Sequence, residues 1–148
     1  MAKIRLTKEF KFEMAHALLG YDGPCRNIHG HSYYLYVTVT GNTLEDDQSP
    51  LNGMVMDFNQ LKEIVRDEIT NDLDHALVLY DKTPSDILQP LKGFNNLILL
   101  PYQPTCENML KDFAVRIKKR LPSHIALFCL KLCETETSSA EWYASDND

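Results

Sequence analysis

Residues 25–33 read CRNIHGHSY, a cysteine followed by two histidines that one glycine separates. Thiolate sulfur and imidazole nitrogen are both zinc ligands, so the stretch reads first as a metal site. Histidines at i and i+2 face the same way only where the chain is extended, because strand side chains alternate faces. The residues that follow supply the extension. Tyr33, Leu35, Val37 and Val39 continue an apolar face, and Ser32, Tyr34, Tyr36, Thr38 and Thr40 form a more polar one. His29 and His31 therefore open a half-buried strand on its apolar side. A third histidine ends the apolar face of an earlier run, KIRLTKEFKFEMAH. There Ile4, Leu6, Phe10, Phe12, Met14 and His16 alternate with Arg5, Thr7, Glu9, Lys11 and Glu13. Paired as a hairpin across the loop holding Gly20, Gly23 and Pro24, the two strands bring His16 close to His29 and His31. Three imidazoles with a position left for water or substrate fit a catalytic zinc site better than a closed structural one. Iron, nickel and copper suit the same donors chemically. Three unrelated surface or core histidines are the competing reading, and two clean strand patterns converging on one place argue against it.

Cys25 is open to three readings. It is a fourth zinc ligand folded back onto the metal, a buried apolar thiol, or a base or nucleophile in a loop beside the metal and Arg26. Three further positions carry chemistry. Asp74 and His75 are adjacent in LDHALVL, where a carboxylate can orient an imidazole; an Asp-His pair in a solvated loop is the plain alternative. Thr105 and Glu107 in PTCEN stand at a helix start, where capping and the helix dipole alone would account for them. Glu134 continues the apolar face of Ala126, Phe128, Leu130 and Leu132, and a carboxylate there needs a partner. A ligand bearing a fork of N–H donors would be one.

The elements that must position these residues follow from patterning. Residues 41–53 are rich in turn formers and acids and read as an exposed loop. Phe58, Leu61, Ile64, Val65 and Ile69 recur at helical spacing after Asp57, a fitting N-cap. The stretch from Asn71 to Asn96 reads as a long irregular connection, a length that is often functional inside a compact domain. LILL is a short buried strand. A second helix carries Met109, Leu110, Phe113, Ile117 and Leu121 inward and ends at Pro122. ALFCLKLCET is a strand, with more β structure after it, and the tail SDND is expected to fray. The order predicts one α+β domain over 1–148, a small antiparallel sheet with a helix pair on one face.

Bulk properties narrow the function. A chain of 148 residues can bury a real core without staples. Its formal charge of −6 excludes a general nucleic-acid or membrane-surface binder, which needs a basic footprint. No apolar run approaches a membrane span, and the first residues do not read as a signal peptide. The four cysteines make no CxxC pair, which suits reduced thiols in a cytoplasmic protein.

Taken together, FxxAH at 12–16, CxxxHGHSY at 25–33, MDF at 56–58, LDH at 73–75, PTxEN at 104–108 and ET at 134–135 resemble the 6-pyruvoyl-tetrahydropterin and 6-carboxy-tetrahydropterin synthase family. The resemblance spans nearly the whole chain. It implies the T-fold, four antiparallel strands and two helices per subunit, assembled into a ring that is commonly a hexamer of two stacked trimers with interfacial active sites. It also implies that His16, His29 and His31 hold Zn²⁺, that Cys25 is the catalytic base, and that Asp74 and His75 form a partner proton relay. Glu134 would grip the guanidine-like edge of a pterin, with Thr105 and Glu107 in the same pocket. The implied substrate is 7,8-dihydroneopterin triphosphate. One branch of the family keeps all three side-chain carbons. The other releases acetaldehyde and gives 6-carboxy-5,6,7,8-tetrahydropterin, a precursor of queuosine and other 7-deazapurines. The tight Cys-x₃-His-Gly-His spacing resembles the bacterial carboxy enzymes. A non-catalytic zinc-bound pterin-binding module is the alternative of another class. A zinc-hydroxide hydrolase would leave Cys25, Asp74 and Glu134 idle. Two departures stand out: Cys133 precedes Glu134 where many relatives carry lysine, and the segment 81–100 is longer than in compact relatives. Arg26, Lys8 and Lys11 are the candidate triphosphate cations.

Overall fold

The computed structural model describes residues 2–148. Strands β1 (Lys3–His16) and β2 (His29–Asn42) form a long antiparallel hairpin in continuous register, from Lys3 opposite Asn42 to His16 opposite His29. Burial follows the alternation from Phe10 onward: Phe10, Phe12, Met14 and His16 are buried, with exposed residues between most of them. On β2, Tyr33, Leu35, Val37 and Val39 are fully buried. The outward face is polar and cross-paired, for example Thr7 to Thr38 at 2.8 Å and Ser32 donating to Glu13 at 2.7 Å. Such cross-strand pairs pin the register.

The core lies between this sheet and two helices. Helix α1 (Phe58–Val65) continues through a π-helical segment, Arg66–Thr70, into the short α2 (Asn71–Leu73). Asp57 caps α1 by accepting the Asn59 N–H at 2.7 Å. Helix α4 (Cys106–Lys118) is capped by Thr105, whose side chain accepts the Asn108 N–H at 3.2 Å. It buries Met109, Leu110, Phe113 and Ile117 against β5 (Ala126–Cys133) and β6 (Ser139–Tyr143).

Three expectations are corrected. The sheet has six strands in the order β4-β3-β1-β2-β5-β6, and it is mixed rather than four-stranded and antiparallel. One strand and a short helix come from the stretch read as an irregular connection, and LILL forms a strand as expected. β3 (Ala76–Tyr80) pairs in parallel with the His16 end of β1, and β4 (Leu97–Leu100) pairs in parallel with β3 across the short helix α3 (Ser85–Leu91). ALVLY is a five-residue apolar run without alternation, so periodicity alone could not name it a strand. The second correction is on β5, where Ala126 is exposed and Phe128 half-buried, whereas Leu127, Leu130 and Leu132 are buried. The pairing to β2 slips between Thr38 and Val39, leaving Phe128 as the extra residue of a bulge that swaps faces. Thirdly, Ala144–Asn147 of the tail form a short helix, α5, tied back by Lys118 to Asp148 at 2.6 Å. Among the described residues no helix is long and apolar enough to cross a membrane.

Candidate metal centre and adjoining clefts

The register sets the metal centre. His16 faces His29 directly across the hairpin, and His31 stands two residues further along the same face of β2. One ligand atom from each lies within 4.8 Å of the others, and ring centroids are 4.6 to 5.2 Å apart. His16 Nδ1 lies 2.8 Å from the Pro104 carbonyl and His29 Nδ1 lies 2.7 Å from the Asn27 carbonyl. A carbonyl only accepts, so both Nδ1 atoms carry the proton and both Nε2 atoms present lone pairs. Those two lone pairs face each other at 3.1 Å. A shared proton would make one ring cationic, and burial opposes this by lowering the pKa of His16, with His31 lowered by the same cause. His31 Nε2 is itself buried with no hydrogen-bond partner among the described residues.

This donor set fits a divalent cation. Nitrogens about 2.0–2.1 Å from a tetrahedral zinc ion are about 3.3–3.4 Å apart, close to the spacing of the His16 and His29 pair. Backbone carbonyls orienting the far ring nitrogens are the usual outer support of such ligands. Cys25 is not in this group. It sits on the 3₁₀ turn Pro24–Arg26. Its carbonyl accepts the Leu18 N–H at 2.9 Å, and the Gln103 side chain clamps both backbone polar groups of Leu19.

Two hollows flank the histidines. One, of about 290 Å³, is lined by His16, Cys25, Thr105, Cys106, Glu107 and Glu134 among others. Here Glu134, just beyond β5, lies 3.4 Å from His31 through Oε1 and accepts the Cys106 thiol at 3.3 Å through Oε2. Downstream of the bulge the β5 alternation is regular again, so Glu134 does fall on the inward side with Leu130 and Leu132. The Thr105 hydroxyl uses a lone pair in capping and keeps its hydrogen free to donate.

The other hollow, of about 780 Å³, includes His31, Ser32, Glu13, His75, Leu77 and Phe94 in its lining. Asp74 accepts the Glu13 N–H at 2.8 Å through Oδ1 and meets His75 Nδ1 at 3.1 Å through Oδ2. The His75 N–H donates to the Glu13 carbonyl at 2.6 Å, and its φ of 63° lies in the left-handed region, strained for a residue with a Cβ. Its side chain is 78% exposed. The single chain thus gathers the three histidines with Cys25, Thr105, Glu107 and Glu134, and holds the Asp74–His75 pair in the neighbouring hollow. Lys8, Lys11 and Arg26 line neither hollow; Lys8 and Lys11 stack over Phe58 and Tyr34. Sequence reading passed over Cys106, although it stands inside PTCEN, and the fully buried Tyr33 hydroxyl, which makes no hydrogen bond among the described residues.

Comparison with known proteins gives a consistent result. The profile of one family, 6-pyruvoyl tetrahydropterin synthase, matches residues 5–145. A Haemophilus influenzae protein named 6-carboxy-5,6,7,8-tetrahydropterin synthase is 35% identical over 142 residues, covering 93% of this chain and 97% of its own. A protein of the same name from Aquifex aeolicus is 29% identical, covering 95% and 98%. Among solved structures, Caenorhabditis elegans 6-pyruvoyl tetrahydropterin synthase superposes with a TM-score of 0.68 at 22% identity, covering 97% of each chain. The Plasmodium vivax protein of that name gives 0.71 at 18% identity, covering 96% of this chain and 98% of its own.

Proposed function

The chain belongs to the 6-pyruvoyl tetrahydropterin synthase family and has its T-fold, and from this we propose a zinc-dependent lyase acting on 7,8-dihydroneopterin triphosphate. With one water consumed, its products are 6-carboxy-5,6,7,8-tetrahydropterin, acetaldehyde and triphosphate. The observation that carries the reading is the trio of imidazoles, two with free Nε2 lone pairs and one with an unpartnered Nε2, beside a cleft holding a thiol and a carboxylate. Zinc held by His16, His29 and His31 supplies a Lewis acid for the hydroxyls of the substrate side chain. Glu134 accepts the paired N–H groups of the pterin edge, a fork-to-carboxylate match that orients the ring. Thr105 donates its free O–H to the same ring, and Glu107 borders it. Cys25 takes a proton from the side chain, and His75, steered by Asp74, handles protons on the opposite side.

A partner copy fits the placement of that pair. His75 is exposed at the rim of a hollow of its own, so a ring of copies, a hexamer in this reading, brings one copy's Asp74–His75 arm to another's Cys25 cleft. The free thiols agree with a cytoplasmic setting.

The carboxy outcome rests on the Cys25-to-His29 spacing and on the names of the relatives in sequence. The family profile and the solved neighbours bear the pyruvoyl name, which makes triphosphate loss without carbon loss the second reading. Incubating the zinc-loaded protein with 7,8-dihydroneopterin triphosphate separates them. Acetaldehyde in step with triphosphate is the expected result; triphosphate alone establishes the pyruvoyl reaction, and neither product defeats both.

A further inference from the structure

The cleft holds two thiols in different situations. Cys25 sits on an exposed turn, whereas Cys106 is 8% exposed in the first turn of α4. Burial and the adjacent Glu134 carboxylate push the Cys106 thiol well above its ordinary pKa, so it keeps its proton and acts as a donor rather than a nucleophile. Its Sγ lies 3.3 Å from Glu134 Oε2. The Cys106 thiol is the one side-chain donor hydrogen-bonded to this carboxylate among the described residues, since His31 Nε2 stands 3.4 Å from Oε1 without a hydrogen bond. Cys106 thus holds one oxygen of Glu134. A carboxylate offers about four acceptor sites, so the side toward the cleft stays open to a two-donor ligand edge. A second feature points to a ligand there. The Tyr33 hydroxyl is wholly buried, has no hydrogen-bond partner among the described residues, and lies within the electrostatic reach of both Glu134 and Cys106. Its ring packs edge-on to His31 and His16, placing this unmet donor beneath the same site.

We infer that Cys106 is a positioning residue for ligand recognition, its S–H holding Glu134 in the rotamer that receives the two N–H groups of an amino-pyrimidinone edge. The inference rests on the pterin reading of the cleft. It requires a donor at 106, not a particular volume, so serine serves and alanine or valine does not.

Fluorescence titration of zinc-loaded protein with neopterin tests it. Cys106→Ala and Cys106→Val weaken binding about tenfold, the size of one hydrogen bond to a charged group. Cys106→Ser stays within about threefold of wild type, and Cys106→Ala adds little once Glu134→Gln is present. Valine fills the site where alanine leaves a gap, so at least one donorless variant reports on folded protein, as melting and zinc content verify. Wild-type affinity in the Ala and Val variants overturns the inference. So does a serine variant as weak as alanine, or losses that add fully to those of Glu134→Gln. A wild-type protein that binds no neopterin removes the pterin reading itself, and the inference with it.

Discussion

The proposal gives Cys25 and the three histidines separate duties, and single substitutions tell them apart. Cys25→Ala is expected to keep its zinc and lose turnover, by about 10²-fold or more for removal of a proton-transfer group. Loss of metal along with the thiol, measured by atomic absorption, would mean that Cys25 is a ligand and the three-imidazole site is wrong. His16 makes a prediction for the metal-free protein. Its folded-state pKa is lowered by burial, whereas the unfolded chain takes up a proton near 6.5. Above that pH both states are neutral and stability is fully present. As pH falls from about 6.5 toward the folded value, the unfolded state gains protons that the native state refuses, and stability drops. Urea denaturation in EDTA at pH 7.5 and 5.5 should show lower stability at the acid end; equal midpoints would contradict a buried neutral His16. Zinc at pH 7.5 should raise the midpoint, since it binds only the folded arrangement.

At the scale of elements, caps and strain carry the argument. Thr105 and Asp57 both cap helices, yet only Thr105 borders the cleft. Each change to alanine is expected to cost about 1 kcal/mol of stability. Neopterin binding should fall for Thr105→Ala and hold for Asp57→Ala; equal effects on binding would remove Thr105 from the pocket. His75 tests backbone strain at the α2–β3 junction. In the left-handed region glycine is unstrained and alanine is not, so His75→Gly should be more stable than His75→Ala by about 1 kcal/mol. The reverse order in chemical denaturation would show that the junction relaxes once the imidazole is gone. Both caps were legible in the sequence because an N-cap is a local event, one side chain meeting an N–H two or three residues on. The conformation of His75 was not, since the bond from its N–H to Glu13 comes from a strand 62 residues earlier, a difference of 75 and 13.

For the whole molecule, the proposed reaction needs Cys25 and the Asp74–His75 pair together although they lie in two hollows of one chain, so it makes assembly testable. Mixing inactive Cys25→Ala and His75→Ala proteins, with exchange of subunits, should restore activity toward about one quarter of wild type if every site takes one residue from each of two copies. No recovery, with mixed assemblies confirmed by native mass spectrometry, would place both residues of a working site on one copy.

The sequence alone determined the hairpin and the histidine face, because a period of two assigns every side chain to a side and the polar loop leaves one way to pair. It also determined two capped helices, whose apolar stripes and start signals lie within a few turns of chain. Tertiary structure alone decided the rest. β3 exists as a strand only because the His16 end of β1 offers an edge for parallel pairing, and β3 in turn gives the LILL strand its parallel partner. The β5 bulge shows only against β2, and it turns Leu127 inward in place of Ala126 and Phe128, whereas Leu130, Leu132 and Glu134 keep the face that their alternation gave them. Tautomers and hydrogen bonds followed the same rule. The carbonyl of Pro104 reaches His16 and the thiol of Cys106 reaches Glu134 across 88 and 28 residues, distances over which no local pattern carries information.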